Sequence, residues 1–139
     1  MKIFTTNNST AMADAEFDIY DCYSPPLEQE VFACADETVT GYDGGTWAFH
    51  TDGDIGYWVP QGAAVYSVAC AGNYFEHPAM DAESLGVALT LLAINRQIWW
   101  LHSKGRDFDK LARAQEKLRD FAYADDSTLN TNAIYGFLD

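Results

Sequence analysis

The sequence predicts an α+β fold, a small antiparallel β-meander packed against a long central helix, and three stretches carry that prediction. Residues 44–60 contain two period-two aromatic runs, Trp47-Ala48-Phe49-His50 and Ile55-Gly56-Tyr57-Trp58-Val59, on either side of the turn-forming Asp52-Gly53-Asp54. Leu85 to Leu101 is apolar on nearly all sides, the pattern of a helix buried in the middle of a domain. Phe108, Leu111, Ala112, Gln115, Leu118, Phe121 and Ala122 trace one face of a further helix, whose other face carries Lys110, Arg113, Glu116, Lys117 and Arg119. At 139 residues the chain has the size of one ordinary domain.

The elements follow in order. Residues 1–13 are polar and patternless, so they are expected to fray, with the single domain spanning 14–139. Asp14 to Tyr23 places Phe17 and Tyr20 three apart, a short helical signal that Pro25-Pro26 is expected to end. From Leu27 the positions Leu27, Val31, Cys34, Ala35 and Thr38 recur at spacings of three and four, one face of a helix with Glu28 and Glu30 near its N-terminus. Gly41, Gly44 and Gly45 close it. After the aromatic hairpin, which Pro60 ends, a strand is expected over Ala64 to Cys70 and another over Tyr74 to His77, before Pro78. Three or four strands result. Asp81 is a good N-cap for the central helix, and Asp125-Asp126-Ser127 precedes a short terminal helix bearing Ala133, Ile134, Phe137 and Leu138.

Charge narrows the function classes. The chain carries 21 Asp and Glu against 8 Lys and Arg, for a formal net charge of -13. Through residue 54 there are eleven acids, Asp14, Glu16, Asp18, Asp21, Glu28, Glu30, Asp36, Glu37, Asp43, Asp52 and Asp54, against the single base Lys2. Such a field repels phosphate backbones and attracts basic protein surfaces, so the expected partner is a protein and not nucleic acid. Cys22, Cys34 and Cys70 form no CxxC pair, which fits a reducing compartment. No apolar run reaches the ~20 residues of a membrane span, and Met1-Lys2 leads into polar residues; a cytoplasmic protein, monomeric or weakly dimeric, is expected.

The candidate chemistry is thin. His50, His77 and His102 fall on different expected elements, outside any metal-ligand spacing, and Asp52-Gly53-Asp54 lacks the later oxygen ligands of a calcium loop, so no metal is expected. No nucleophile elbow and no phosphate-cradling glycine loop is present, so no cofactor is expected. An enzyme would have to use His50 with Asp52 or Asp54 in a cleft. Trp47, Phe49, Tyr57 and Trp58 could stack on bases, but Asp43, Asp52 and Asp54 flank them with the wrong sign of charge, and sheet–helix packing explains them better. The carboxylate-rich front allows one further reading, an acidic DNA mimic that inhibits a DNA-handling enzyme.

The motif order then resembles a known family. Tyr42-Asp43-Gly44-Gly45, Trp47-x-Phe49-His50 and Gly56-Tyr57-Trp58-Val59-Pro60, with Leu118-Arg119-Asp120-Phe121 and Ala133-Ile134-Tyr135, are similar to the ArdB/KlcA antirestriction family, in order and over residues 27 to the end. His50 stands where that family usually has Tyr, and Asp54-Ile55-Gly56 where it has Gly-Gly. The resemblance implies a non-enzymatic α+β protein, encoded on mobile elements such as plasmids, that protects incoming DNA from type I restriction-modification. With that function, the expected contacts to a host restriction or DNA-processing protein are Asp43, Asp52, Asp54, Tyr135 and Asp139.

Overall fold

The structure, a computed structural model, describes residues 1–139. In order the elements are β1 (Lys2–Phe4), α1 (Ser9–Tyr20), α2 (Ser24–Thr38), β2 (Trp47–Asp52), β3 (Ile55–Pro60), β4 (Val65–Cys70), β5 (Phe75–Asp81), α3 (Ala82–Ser103), α4 (Asp109–Ala122) and α5 (Thr131–Leu138). The α+β expectation holds, but the strands form two antiparallel sheets, β1-β2-β3 and β4-β5, where one meander was expected. The reason lies at the outer edge of β3. There α3, not β4, lies alongside: the buried Thr90 hydroxyl accepts from the Trp58 N–H at 3.2 Å, and Gly86 sits so close that a Cβ would stand 2.3 Å from the Trp58 carbonyl oxygen. A helix thus covers the backbone groups that a further strand would have paired.

Two differences lie at the front of the chain. Residues 1–13, expected to fray, supply β1 and the first turn of α1. Lys2, Ile3 and Phe4 pair with Thr51, His50 and Phe49, and the Asn8 side chain accepts from the Ala11 N–H at 3.4 Å to start the helix. Three residues are too few for period two to be seen in sequence. Second, Pro25 and Pro26 do not end α1; they open α2, where the first turn has no use for an N–H. The break falls at Asp21, at φ 56°.

The aromatic hairpin pairs as its alternation requires, Trp47 with Pro60 through Asp52 with Ile55, leaving the two-residue loop Gly53-Asp54. Gly53 has φ 63°, the positive value that a tight hairpin turn needs at its first position. Both faces of this sheet are covered. Tyr20 of α1 stacks on Trp58, centroids 5.4 Å apart, and Phe32 of α2 meets Trp47; on the opposite face Phe121 of α4 meets Tyr57 at 5.7 Å. Trp47, Phe49, Tyr57 and Trp58 are all buried, as packing and not stacking on bases requires.

In the second sheet Pro78, expected to end a strand, lies inside β5. It is accommodated by an irregularity between Tyr66↔Met80 and Val68↔His77, where two residues of β5 lie opposite Ser67. The edge of β4 is partly closed by the chain leaving α2: the Thr40 N–H donates to the Ser67 carbonyl at 2.9 Å. Asp81 caps α3 through the Ser84 N–H, as expected, and Ser84 in turn accepts from Asn130 just before α5. At its far end α3 closes through Gly105, at φ 66°, with Arg106 N–H donating to the Leu101 carbonyl and Gly105 N–H to that of His102. No helix is long and apolar enough to cross a membrane.

Candidate protein-contact surface

The five expected contact residues lie at three places. Asp43 is exposed in the glycine loop before β2, while Asp52 and Asp54 are exposed at the other end of that strand. A six-residue strand separates them by about 17 Å or more. Asp54 also has an internal partner, the Lys117 ammonium of α4, which holds its carboxyl below the usual carboxylate range. The third place does assemble. Tyr135, 64% exposed, and Asp139 border a cleft of about 370 Å³ with Arg119, Tyr123 and Leu138. Asn73, from the β4–β5 turn, fixes the end of α5 by donating to the carbonyls of Gly136 and Phe137 at 3.1 and 3.2 Å. Beside it in that turn Tyr74, at φ 60° and 90% exposed, is an outlier for a bulky side chain.

The histidine expected to serve an enzyme is packed away. His50 points into the sheet face lined by Tyr57 and Glu83, its Nδ1 buried without a hydrogen-bond partner. Glu83, at 4.0 Å, is the carboxylate within ion-pair reach, in place of Asp52 or Asp54. Burial lowers the imidazole's proton affinity and outweighs the raising effect of Glu83. Glu83 itself accepts from the Tyr57 hydroxyl at 2.6 Å. Burial and this bond push the phenol's pKa upward. The group is a packed cluster with its one good hydrogen bond already made.

Nor do the front carboxylates form a free array. Glu16 is buried, Asp21 pairs with Lys110, Glu30 and Glu37 pair with Arg96, and Asp54 pairs with Lys117, which withdraws five of the eleven. Mimicry of a phosphate row needs such charges free and evenly spaced. Glu16 has no cation at all. It accepts from the Trp58 indole N–H within the core, and burial, with Glu28 alongside, pushes its carboxyl up to about 8.

Sequence reasoning missed the exposed aromatics. Trp99 and Trp100, inside the apolar run, are 64% and 48% exposed, and Phe17 is 56% exposed. A signal existed: adjacent helical residues point about 100° apart, and the polar Asn95-Arg96-Gln97 already interrupts the buried stripe.

Comparison with known proteins places this architecture. A solved structure of the KlcA and ArdB proteins, described as showing a novel fold and antirestriction activity against type I DNA restriction systems in vivo but not in vitro, superposes with a TM-score of 0.77. The match covers 99% of this chain and 94% of that one at 21% identity, and shows a shared fold. A putative antirestriction protein, YubI of Escherichia coli (strain K12), is 38% identical over 80 residues, spanning 56% of this chain and 55% of that relative. The family model described as "Antirestriction protein" matches residues 40–139, from the glycine loop through β2 to β5, α3, α4 and α5, and on that match the chain belongs to the antirestriction protein family.

Proposed function

We propose that this protein protects incoming mobile-element DNA from host type I restriction-modification, working in the cytoplasm through protein contacts and without catalysis. The observation that carries this reading is the family match over residues 40–139, joined to a fold shared along nearly the whole chain. The side chains favour contact over chemistry, because His50 is buried with Tyr57 and Glu83 packed about it. The contact centre we favour is the cleft of Tyr135 and Asp139 with Tyr123. Exposed tyrosines give large, stiff contact area, and Asp139 beside Arg119 adds one charge of each sign at their edge. Asp43, Asp52 and Asp54 are placed at the rim of the same anionic exterior.

Transfer of unmodified DNA into a restricting host tests the reading. Expression of the chain is expected to raise recovery of the incoming DNA towards that of a host without the restriction system. Equal restriction with and without the protein, across several type I systems, would refute it.

A further inference from the structure

The end of α3 presents an aromatic surface that nothing in the molecule covers. Trp99 stands out edge-on to the exposed His102, while Trp100 lies under the Arg106 guanidinium, 5.9 Å from the ring centroid. Beside Trp100 opens a cleft of about 600 Å³ walled by Cys22, Tyr23, Pro26, Gln97 and Leu101. The glycine-closed end of α3 fixes both indoles relative to Arg106.

Its charge sets this surface apart. In a chain of net charge -13, no acid occurs between Glu83 and Asp107. Arg96 is taken by Glu37 and Glu30, and Lys110 by Asp21, so the free charges around the indoles are Lys104 and Arg106 against Asp107 and Asp109. Two free cations face two free anions, and with the paired groups counted, Arg96 and Lys110 against Glu30, Glu37 and Asp21, the patch lies within one charge of balance.

We propose that this surface joins two copies of the chain about a two-fold axis, the Trp99 of each protomer entering the cleft beside Trp100 of the other. A two-fold interface must be complementary to itself, and here projecting indole and receiving cleft, cations and anions, lie on one patch. The carboxylate-rich faces would bring uncompensated charges of two strongly anionic molecules together, which self-repulsion opposes. A basic host protein would be drawn instead to those acidic faces, since a balanced patch offers it no attraction. Two adjacent indoles with a neighbouring arginine are the residue types that dominate binding at interface centres. The inference rests on this surface alone and is independent of the antirestriction reading.

Sedimentation equilibrium of the full chain over a wide concentration range tests it. The mass is expected to rise with concentration from 15.5 kDa to twice that value. Trp99→Glu is expected to raise the dissociation constant at least ~10-fold, with an unchanged melting curve because the side chain projects from the fold. Arg106→Glu is expected to weaken the dimer too, and combining it with Asp107→Lys in the same chain to restore part of the loss, since each contact occurs twice. A single 15.5 kDa species at every concentration, or a dimer indifferent to Trp99→Glu, overturns the proposal. So does a wild-type monomer whose DNA protection in cells disappears with Trp99→Glu, which would assign the surface to a host protein.

Discussion

Replacing Glu16 by Gln changes how stability depends on pH. The carboxyl accepts from the Trp58 indole and has Glu28, not a cation, within hydrogen-bond reach, so its folded pKa is about 8 against 4.5 unfolded. For an acid whose folded pKa is raised, both states hold the proton below pH 4.5 and the group costs nothing. Between 4.5 and 8 the unfolded chain releases its proton while the folded chain keeps it, so stability falls as pH rises, and the loss levels off above 8. Three and a half units at 1.36 kcal/mol each give a loss of at most roughly 5 kcal/mol. A Gln carbonyl still accepts from Trp58, and its amide donates to Glu28, so Glu16→Gln removes the slope. His50 works in the other direction: its lowered pKa leaves the unfolded chain taking up a proton first as pH falls below 6.5, which destabilises the fold on the acid side. That contribution is common to wild type and variant and cancels in their difference. Urea unfolding at pH 5 and pH 8.5 is the assay. The variant is expected to match wild type within about 1 kcal/mol at pH 5 and to exceed it by several kcal/mol at pH 8.5. Equal pH slopes for the two proteins would refute the buried, protonated carboxyl.

Further outcomes follow from the seam between α3 and β3. Gly86→Ala puts a methyl 2.3 Å from the backbone oxygen of Trp58, which cannot yield, and is expected to cost about 1–3 kcal/mol or more, read as a fall in Tm. Thr90→Val keeps the shape but leaves the buried Trp58 N–H without its acceptor, for an expected loss of about 1–3 kcal/mol in denaturant unfolding. Thiol titration of the native protein is expected to show Cys22 reacting fast and Cys34 protected until unfolding, because Cys22 is exposed while burial pushes the Cys34 thiol up to about 12.

The sequence made the hairpin legible because alternation, a glycine turn and a closing proline agree from Trp47 to Pro60, while the structure narrows the turn to Gly53-Asp54 and gives Asp52 to β2. The Asp81 cap of α3 and the apolar face of α4 were equally plain, since both signals are local. What stayed hidden depends on contacts between distant segments. Nothing local tells β1 that β2 offers a free edge, or tells β4 that α3 already occupies the edge of β3. The proline pair read as a stop was a start, because either role suits proline and only the break at Asp21 decides. The grouping of the candidate contact residues was legible in part. Tyr135 and Asp139 do share a cleft, while Tyr123 was not singled out and the hairpin acids lie apart from it. Glu83, the carboxylate that meets His50, could not be chosen from sequence, since 33 residues separate the two and only the sheet–helix packing joins them.

The central claim is that the proposed effect on restriction comes from surface contact and not from chemistry at His50. Recovery of unmodified DNA in a type I restricting host separates the two, with wild type, His50→Ala and the pair Tyr135→Ala with Asp139→Ala compared at equal levels of folded protein. The account predicts full protection with His50→Ala and loss of protection with the pair. Protection abolished by His50→Ala and kept by the pair would contradict it.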